Sequence, residues 1–345
     1  MKAKAAILNE SRAPLVLDDI SIPDLECGQV LVQIRQTGIC GAQINEIEAT
    51  KGPDKFLPHL LGHEGGGVVL KTGPGVTHIK DGDHVVLHWR KGQGIHSKPP
   101  KYQWDGRTVN SGWVTTFNEC AVISENRLTP IPKSIPFDVA ALMGCAVTTA
   151  LGLINNLAQL KIGQSIAILG CGGVGLNVVQ GAHMVAAHPI IAIDIFDEKL
   201  AMAREFGATH TINSARSDLR EEVRKIAGGA GVDVFVENTG RVKLIEAAYE
   251  LTGNTGRTIC VGVPKHTENV NIHTMPLHHG KVLTGCEGGD TDPTVDIPRY
   301  LKLYEAGKLN LDRVITHRMP FAEINSALDK VRAGEVGSCV LSMTA

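Results

Sequence analysis

Two cysteines and one histidine, each beside glycine, are the residues in this sequence best suited to hold a metal ion. They are Cys40 in Gly-Ile-Cys-Gly, His63 in Gly-His-Glu-Gly, and Cys145 in Gly-Cys-Ala. Two thiolates and one imidazole form a nearly neutral set of three zinc ligands, and the open fourth position lets zinc polarise a substrate oxygen. The three residues are too far apart in the sequence for a zinc finger. Spacing alone therefore leaves open whether they bind metal or are buried core residues.

A glycine-rich segment between a predicted strand and a predicted helix has the pattern of a dinucleotide-binding loop. The segment reads Gly170-Cys171-Gly172-Gly173-Val174-Gly175. Gly170 permits the tight turn, Gly172 lets a pyrophosphate approach the backbone, and Gly175 lets the helix pack against the sheet. The phosphates would then lie at the positive end of the helix.

Asp194 ends the next apolar run, about 20 residues after the glycines, where dinucleotide-binding folds place an acidic residue. A carboxylate there can accept hydrogen bonds from both ribose hydroxyls and would repel a 2′-phosphate. Ile195 and Phe196 follow, so no arginine is present to accept that phosphate. The sequence therefore favours NAD over NADP.

The predicted elements around these residues fall into two regions with different patterns. Up to about residue 145, short strand-like runs such as 30–36, 67–70 and 84–88 are separated by Gly, Pro and Asp turns. Beyond residue 160, apolar runs alternate with helical segments; the predicted strands are 165–169, 190–194, 211–212, 232–237 and 258–261. Alternating strands and helices indicate a parallel sheet with crossover helices.

Composition excludes several classes of protein. The chain has 345 residues, which suggests two domains, and its net charge of −2 argues against a general nucleic-acid or membrane-surface binder. The first 14 residues contain no apolar core long enough for a signal peptide, and we expect no run of membrane-spanning length. Eight scattered cysteines without a CxxC pair indicate reduced thiols. We expect a cytoplasmic protein whose partner is a small-molecule substrate.

The chain resembles the zinc-containing alcohol dehydrogenases of the medium-chain dehydrogenase/reductase superfamily over nearly its whole length. The resemblance lies in the segments around Cys40, His63-Glu64, Gly144-Cys145 and the glycine loop, and in Gly207-Ala208-Thr209, Gly262-Val263-Pro264, Ile315-Thr316-His317, Ile324-Asn325 and Arg332-Ala333-Gly334. It implies an α/β fold: a GroES-like, β-rich catalytic domain (1–146 and 287–345) and a Rossmann domain with a doubly wound parallel sheet (147–286) that binds NAD. It also implies a homodimer, or alternatively a homotetramer, joined around residues 271–289.

The same resemblance implies roles for individual residues. Cys40, His63 and Cys145 would bind one catalytic zinc, and Glu64 would be a carboxylate that can approach the metal during ligand exchange. Thr149 would flank the nicotinamide ring. The backbone near three further residues would hold the carboxamide of the cofactor: Val261, Val263 and Cys286.

The chain departs from the family pattern beside the first ligand cysteine. Ala42 replaces the usual Ser or Thr, whose hydroxyl relays the proton of the alcohol. Gln43 replaces the usual Asp that bonds the ligand histidine, and so brings no charge. Asn45 stands where some members have a relay histidine. Alcohol oxidation would therefore need another proton route.

Two other departures concern a second metal and the cofactor phosphates. Residues 87–119 contain none of the four closely spaced cysteines that bind a structural zinc in many members, so we predict that none binds here. This basic, aromatic stretch forms either a structural lobe or a surface that approaches a polar substrate. Ser338 and Gly41 stand where a basic side chain often binds the pyrophosphate, which would weaken cofactor binding.

The sequence thus predicts a zinc-dependent oxidoreductase that transfers a hydride between NAD(H) and a small alcohol, aldehyde or ketone. Three alternatives remain: a reductase of a C=N or activated C=C bond, a non-catalytic NAD-binding redox sensor, and a zinc-free quinone reductase. The substrate cannot be named from the sequence. Leu57, Trp89 and Trp113 are the candidate pocket residues.

Overall fold

Strands form most of the regular structure in the first part of the chain, and strands alternate with helices in the middle. The computed structural model describes residues 1–343. Its strands are β1 (Lys2–Leu8), β2 (Val16–Ser21), β3 (Gln29–Ile39), β4 (His59–Leu60), β5 (Gly65–Thr72), β6 (His84–Leu87), β7 (Tyr102–Trp104), β8 (Arg107–Val109), β9 (Cys120–Ser124), β10 (Leu128–Ile131), β11 (Ile166–Leu169), β12 (Ile190–Asp194), β13 (His210–Asn213), β14 (Val232–Glu237), β15 (Thr252–Cys260), β16 (Val282–Gly285), β17 (Ile315–Pro320) and β18 (Ser338–Ser342).

The α-helices are α1 (Gly41–Ile47), α2 (Phe137–Met143), α3 (Ala146–Gly152), α4 (Gly173–Met184), α5 (Asp197–Glu205), α6 (Leu219–Ala227), α7 (Val242–Leu251), α8 (Pro293–Glu305) and α9 (Ile324–Ala333). A π-helical stretch follows α3 at Leu153–Ala158, and 3-10 turns cover Glu125–Arg127, Met275–His279, Gly288–Asp290 and Phe321–Glu323. No single helix within residues 1–343 is long and apolar enough to cross a bilayer, although Phe137–Met143 and Ala146–Ala158 pass that test when taken together.

The chain divides into two structural units. Unit 1 contains Met1–Thr148, Asp292–Gly307 and the described residues from Leu311 onward; unit 2 contains Thr149–Thr291 and Lys308–Asn310.

Unit 1 is built on two sheets, with strand orders β4-β1-β2-β7-β8 and β10-β6-β5-β3-β18-β17; β9 also pairs with β3. Alternate residues of β3, namely Val30, Val32 and Ile34, face one apolar core because successive side chains of a strand point to opposite faces. Each such side chain, when fully buried, contributes about 1.5–3 kcal/mol. This core holds in place the strand that ends beside Cys40.

Unit 2 contains one six-stranded parallel sheet in the order β13-β12-β11-β14-β15-β16. Numbered within the unit, this order is 3-2-1-4-5-6, the arrangement of a doubly wound dinucleotide-binding sheet. The central strands are continuous, buried apolar runs, as is typical of a parallel sheet covered on both faces. The predicted α/β fold with a doubly wound sheet is confirmed.

The stretch 88–113, which we call the lobe, carries the hairpin β7–β8. Its turn residues Asp105 and Gly106 both have positive φ, as a two-residue hairpin turn of this kind requires. The buried carboxylate of Glu125 anchors the lobe. It accepts backbone N–H bonds from Thr77 (2.7 Å), His78 (3.2 Å) and Ile95 (2.8 Å), and contacts His78 Nδ1 at 2.8 Å. Ile95 belongs to the lobe, so one carboxylate ties the lobe to the body of unit 1.

Candidate active site

Three separate elements of unit 1 bring Cys40, His63 and Cys145 together. Cys40 immediately precedes α1, His63 lies between β4 and β5, and Cys145 lies between α2 and α3. One possible ligand atom from each residue lies within 4.8 Å of those of the other two. No other such group of three or more His, Cys, Asp or Glu side chains occurs among residues 1–343.

The geometry of this cluster fits a zinc ion. The sulfurs of Cys40 and Cys145 are 4.0 Å apart. Around a tetrahedral zinc with Zn–S bonds of about 2.3 Å, two thiolate sulfurs lie roughly 3.8 Å apart. His63 Nε2 is buried without a hydrogen-bond partner, as expected for an atom that lacks its ligand.

The protonation behaviour of the cluster points the same way. A hydrogen bond from the Cys145 thiol, aided by His63, lowers the pKa of Cys40 well below its ordinary value. The pKa of Cys145 is raised because its proton is shared with Cys40 and because burial opposes a second negative charge. Burial would lower the pKa of His63, but the neighbouring Cys40 thiolate raises it. A divalent cation would stabilise both thiolates at once, so these three side chains are suited to bind a metal.

Glu64 lies beside the cluster, and its carboxyl is buried. Burial first, and the neighbouring Cys40 charge second, raise the pKa of Glu64 to about 8. Its Oε2 has no hydrogen-bond partner. The side chain fits because residue 38 is glycine: a Cβ there would lie 2.6 Å from Glu64 Oε1. The Thr37 hydroxyl fixes the backbone by donating to the Glu64 carbonyl at 2.9 Å.

Gln43 contacts two of the three candidate ligands. Its Oε1 accepts a bond from the Cys40 backbone N–H at 3.1 Å, and its amide nitrogen lies against His63 Nδ1. The sequence predicted only the contact with the histidine. An amide can donate or accept, so Gln43 permits either tautomer of His63, which a carboxylate would not.

Of the candidate pocket residues, Trp89 contacts the cluster directly. Its ring centre is 6.5 Å from that of His63, and its indole partly opposes the rise in the pKa of Cys145. Trp113 instead stacks on His96, with ring centres 4.8 Å apart. Leu57 packs against an apolar core cluster of unit 1.

In unit 2, the glycine loop joins β11 to α4. Gly170 has φ +91°, and a Cβ on Gly175 would lie 2.0 Å from the Gly170 carbonyl oxygen. A Cβ on Gly172 would meet no atom within 4 Å, so this position opens into free space. Gly173 and Val174 form the first turn of α4. Asn238 was not singled out from the sequence, yet its side-chain amide donates to the carbonyls of Leu169 and Gly170 at 3.1 Å.

The Asp194 carboxylate lies directly under this loop. Its Oδ2 accepts the Cys171 N–H at 2.7 Å, and its Oδ1 accepts the N–H groups of Ile195 (2.8 Å) and Phe196 (3.1 Å). The residue is 9% exposed. Besides any cofactor contact, Asp194 therefore fixes the conformation of the loop itself.

The remaining predicted cofactor residues lie at two places in unit 2. Val261, Val263 and Cys286 follow the carboxyl ends of β15 and β16, the edge of a parallel sheet where ligands bind. The N–H of Val261 donates to the Glu237 carbonyl at 2.7 Å, and that of Cys286 to the Cys260 carbonyl at 2.9 Å. Thr149 is buried in α3.

Comparison with known proteins agrees with this arrangement. Residues 26–133 match the alcohol dehydrogenase GroES-like domain, and residues 173–306 match the zinc-binding dehydrogenase domain. Alcohol dehydrogenase 1 of Trifolium repens is 31% identical over 372 residues, covering 99% of this chain and 97% of its own. The chain belongs to the zinc-containing alcohol dehydrogenase family. It is therefore an oxidoreductase with the GroES-like and zinc-binding dehydrogenase domains of that family.

Solved structures of this family have the same fold. An alcohol dehydrogenase zinc-binding domain protein of Burkholderia ambifaria superposes with a TM-score of 0.91 at 28% identity, covering all of both chains. The benzyl alcohol dehydrogenase of Acinetobacter calcoaceticus gives a TM-score of 0.89 at 26% identity, again over all of both chains. The family assignment made from sequence motifs is thus confirmed.

Proposed function

We propose that this protein oxidises a small alcohol to an aldehyde or ketone, or catalyses the reverse reduction, with one zinc ion and NAD. The buried cluster of Cys40, His63 and Cys145, with ligand atoms within 4.8 Å of one another, carries the proposal. Zinc held there would supply the Lewis acidity that lowers the pKa of a substrate hydroxyl or polarises a carbonyl. The names of the relatives support an alcohol as the substrate.

The residues of unit 2 support NAD as the hydride carrier, and we propose that segment 147–286 is its binding domain. Gly172 leaves room for a pyrophosphate at the N-terminus of α4. Asp194 has a fixed carboxylate that can accept ribose hydroxyls and repel a 2′-phosphate. In the balanced reaction, the alcohol carbon gives a hydride to NAD⁺, the hydroxyl gives a proton to solvent, and NADH and a carbonyl compound result.

A direct assay tests this proposal. Elemental analysis of the purified protein is expected to show one zinc per chain. NADH absorbance is expected to change in a screen of primary, secondary and aromatic alcohols and their carbonyl products. A zinc-loaded protein that binds NAD⁺ but converts none of these compounds would contradict the proposal.

Reduction of a C=N or activated C=C bond is the second candidate, and Ala42 is the observation that favours it. Because the alanine side chain carries no hydroxyl, this position cannot relay a proton from an alcohol. A reaction that does not begin with the loss of a hydroxyl proton would not need that relay. The same screen with cyclic imines and unsaturated ketones distinguishes the two functions.

Ala42→Thr is expected to raise the rate on a simple primary alcohol if the reaction is alcohol oxidation. A positioned proton carrier typically contributes about 10²–10⁴-fold to the rate. Ala42→Val is the matched control, because valine has nearly the shape of threonine without its hydroxyl. We expect a higher kcat for Thr than for Val on ethanol or benzyl alcohol. Equal kcat values at full zinc occupancy would show that a hydroxyl at this position does not relay the proton of the alcohol.

We propose that the protein is a homodimer joined through residues 271–289. This segment contains β16, the last strand in the order of the parallel sheet of unit 2, and Met275, which is 55% exposed. Two edge strands related by a two-fold axis would form a continuous sheet. Light scattering is expected to give the mass of a dimer at micromolar concentration; the mass of a monomer would contradict this proposal.

A further inference from the structure

Arg127 is a buried cation without a hydrogen-bonding anion. The residue is 6% exposed, and its Nε has no hydrogen-bond partner. Arginine is almost never buried this deeply unless it is paired. Its guanidinium carbon lies 5.6 Å from the centre of the Trp113 ring.

The carboxylate nearest to Arg127 in the sequence does not neutralise it. Glu125 lies in the same 3-10 turn, but its two oxygens accept bonds from Thr77, His78 and Ile95. A cation–π contact is weaker than the cost of burying a guanidinium, so Trp113 alone does not compensate for that burial. The protein therefore contains a buried positive charge that no residue in 1–343 balances.

The surroundings of Arg127 are basic and partly open to solvent. Burial first, and the charge of Arg90 second, lower the pKa of Arg127, which means that two cations lie close together here. Trp113 is 39% exposed, so solvent reaches the ring that the guanidinium contacts. Burial lowers the pKa of His88 to about 4, so this imidazole is neutral and holds the Arg90 carbonyl at 2.8 Å.

This region adjoins the candidate metal cluster. The backbone N–H of His88 donates to the Arg127 carbonyl at 3.0 Å. The next residue, Trp89, has its ring 6.5 Å from the His63 ring, and the Arg90 guanidinium lies 5.9 Å from the centre of the Trp89 ring. Trp89 thus links the neighbourhood of His63 to the segment that bonds the Arg127 backbone.

We propose that Arg127 and Trp113 form a binding subsite for an oxyanion, a carboxylate or phosphate carried by the substrate. The oxyanion would accept hydrogen bonds from the guanidinium, and Trp113 would form the apolar wall beside it. Charge-assisted bonds of this type are the strongest that arginine makes. This inference rests on the proposed function, because it names the class of alcohol that the enzyme oxidises. It favours hydroxy acids or phosphorylated alcohols over neutral alcohols.

Kinetics on a matched pair of substrates test the subsite. With zinc-loaded protein and NAD⁺, kcat/KM is expected to be higher for 4-(hydroxymethyl)benzoate than for neutral 4-methylbenzyl alcohol. Arg127→Met is expected to lower this ratio about tenfold to a hundredfold, as loss of a charged hydrogen bond does, and Arg127→Lys by less. Arg107→Met is the control, because Arg107 also lies over a tryptophan, Trp104, at 4.3 Å, within the lobe that carries Trp113. It should leave the ratio unchanged.

A binding measurement separates failure of the subsite from failure of the proposed function. Calorimetric titration with p-toluate needs no turnover, and its affinity should fall in Arg127→Met and stay the same in Arg107→Met. An unchanged affinity, or an unchanged substrate ratio, would overturn the subsite. If Arg127→Met does not fold, the comparison of Arg127→Lys with wild type decides by the same criteria.

Inorganic phosphate identifies the source of the oxyanion. Phosphate that competes with 4-(hydroxymethyl)benzoate in wild type, but not in Arg127→Met, would support a site for a substrate group. Phosphate binding that depends on Arg127 without competing with the substrate would overturn the assignment to the substrate and indicate a site for a free anion.

Discussion

Cys40→Ala is expected to remove the metal and to lower kcat by about a thousandfold or more. Lewis-acid catalysis by zinc is worth several kcal/mol, and each 1.36 kcal/mol corresponds to a factor of ten in rate. The loss should be this large because Cys40 lies close to both other candidate ligands: its sulfur is 4.0 Å from that of Cys145, and the ligand atoms of all three residues lie within 4.8 Å of one another. Elemental analysis and kcat on the best alcohol are the two measurements.

Cys120→Ala is the matched control for this prediction. Cys120 is a buried thiol of the same unit, on β9, and takes no part in the cluster. It should retain one zinc and most of its activity. Zinc retained in full by Cys40→Ala would show that the metal binds elsewhere, and two zinc ions per wild-type chain would contradict the prediction of a single site.

Asp194→Asn is expected to reduce the preference for NAD over NADP by about tenfold to a hundredfold, measured as the ratio of kcat/KM values. Asparagine keeps one oxygen acceptor for the backbone N–H groups but loses the charge that repels a 2′-phosphate and binds the ribose hydroxyls. A hydrogen bond to a charged group is worth about 1.5–3 kcal/mol, which sets this range.

The structure also predicts that Asp194→Ala behaves differently from Asp194→Asn. Alanine would leave the N–H groups of Cys171, Ile195 and Phe196 without their acceptor, so the glycine loop should loosen. We expect the alanine variant to lose affinity for both cofactors and to melt at a lower temperature than the asparagine variant. A wild type that prefers NADP, or an unchanged cofactor ratio in both variants, would refute this role of Asp194.

Local patterns were sufficient to predict the sheet of unit 2. The apolar runs at β11 and β12, followed by glycine and by aspartate, are short-range signals for buried parallel strands. The predicted strands agree with β11, β12, β13 and β14 to within one residue at each end, whereas β15 begins at Thr252, six residues before its predicted start. The order of the strands followed from the resemblance to a family, since no local signal specifies which strands pair.

The candidate site was less accessible to local reasoning. Cys40, His63 and Cys145 come from three distant segments, and only the family resemblance indicated that they meet. The contact of Gln43 with Cys40, the bonds of Asn238 to the glycine loop and the unbalanced charge of Arg127 were not predicted. Each feature arises from the tertiary surroundings of a side chain. Composition and periodicity do not predict those surroundings.

The anchoring of the lobe by Glu125 determines which chemical stresses should reach it. Peroxide oxidises thiolates, and chelators remove the metals that thiolates bind. The Glu125 anchor consists of N–H bonds from Thr77, His78 and Ile95 to a carboxylate, so neither reagent should affect it. Burial alone would raise the pKa of Glu125, but these N–H donors outweigh it and lower the pKa. Since the folded pKa is the lower one, this stabilisation is present above the ordinary pKa of a glutamate and disappears as the pH falls through the folded value. Acid should therefore loosen the lobe. Oxidation or removal of the metal should instead damage the cysteine cluster and leave the lobe in place.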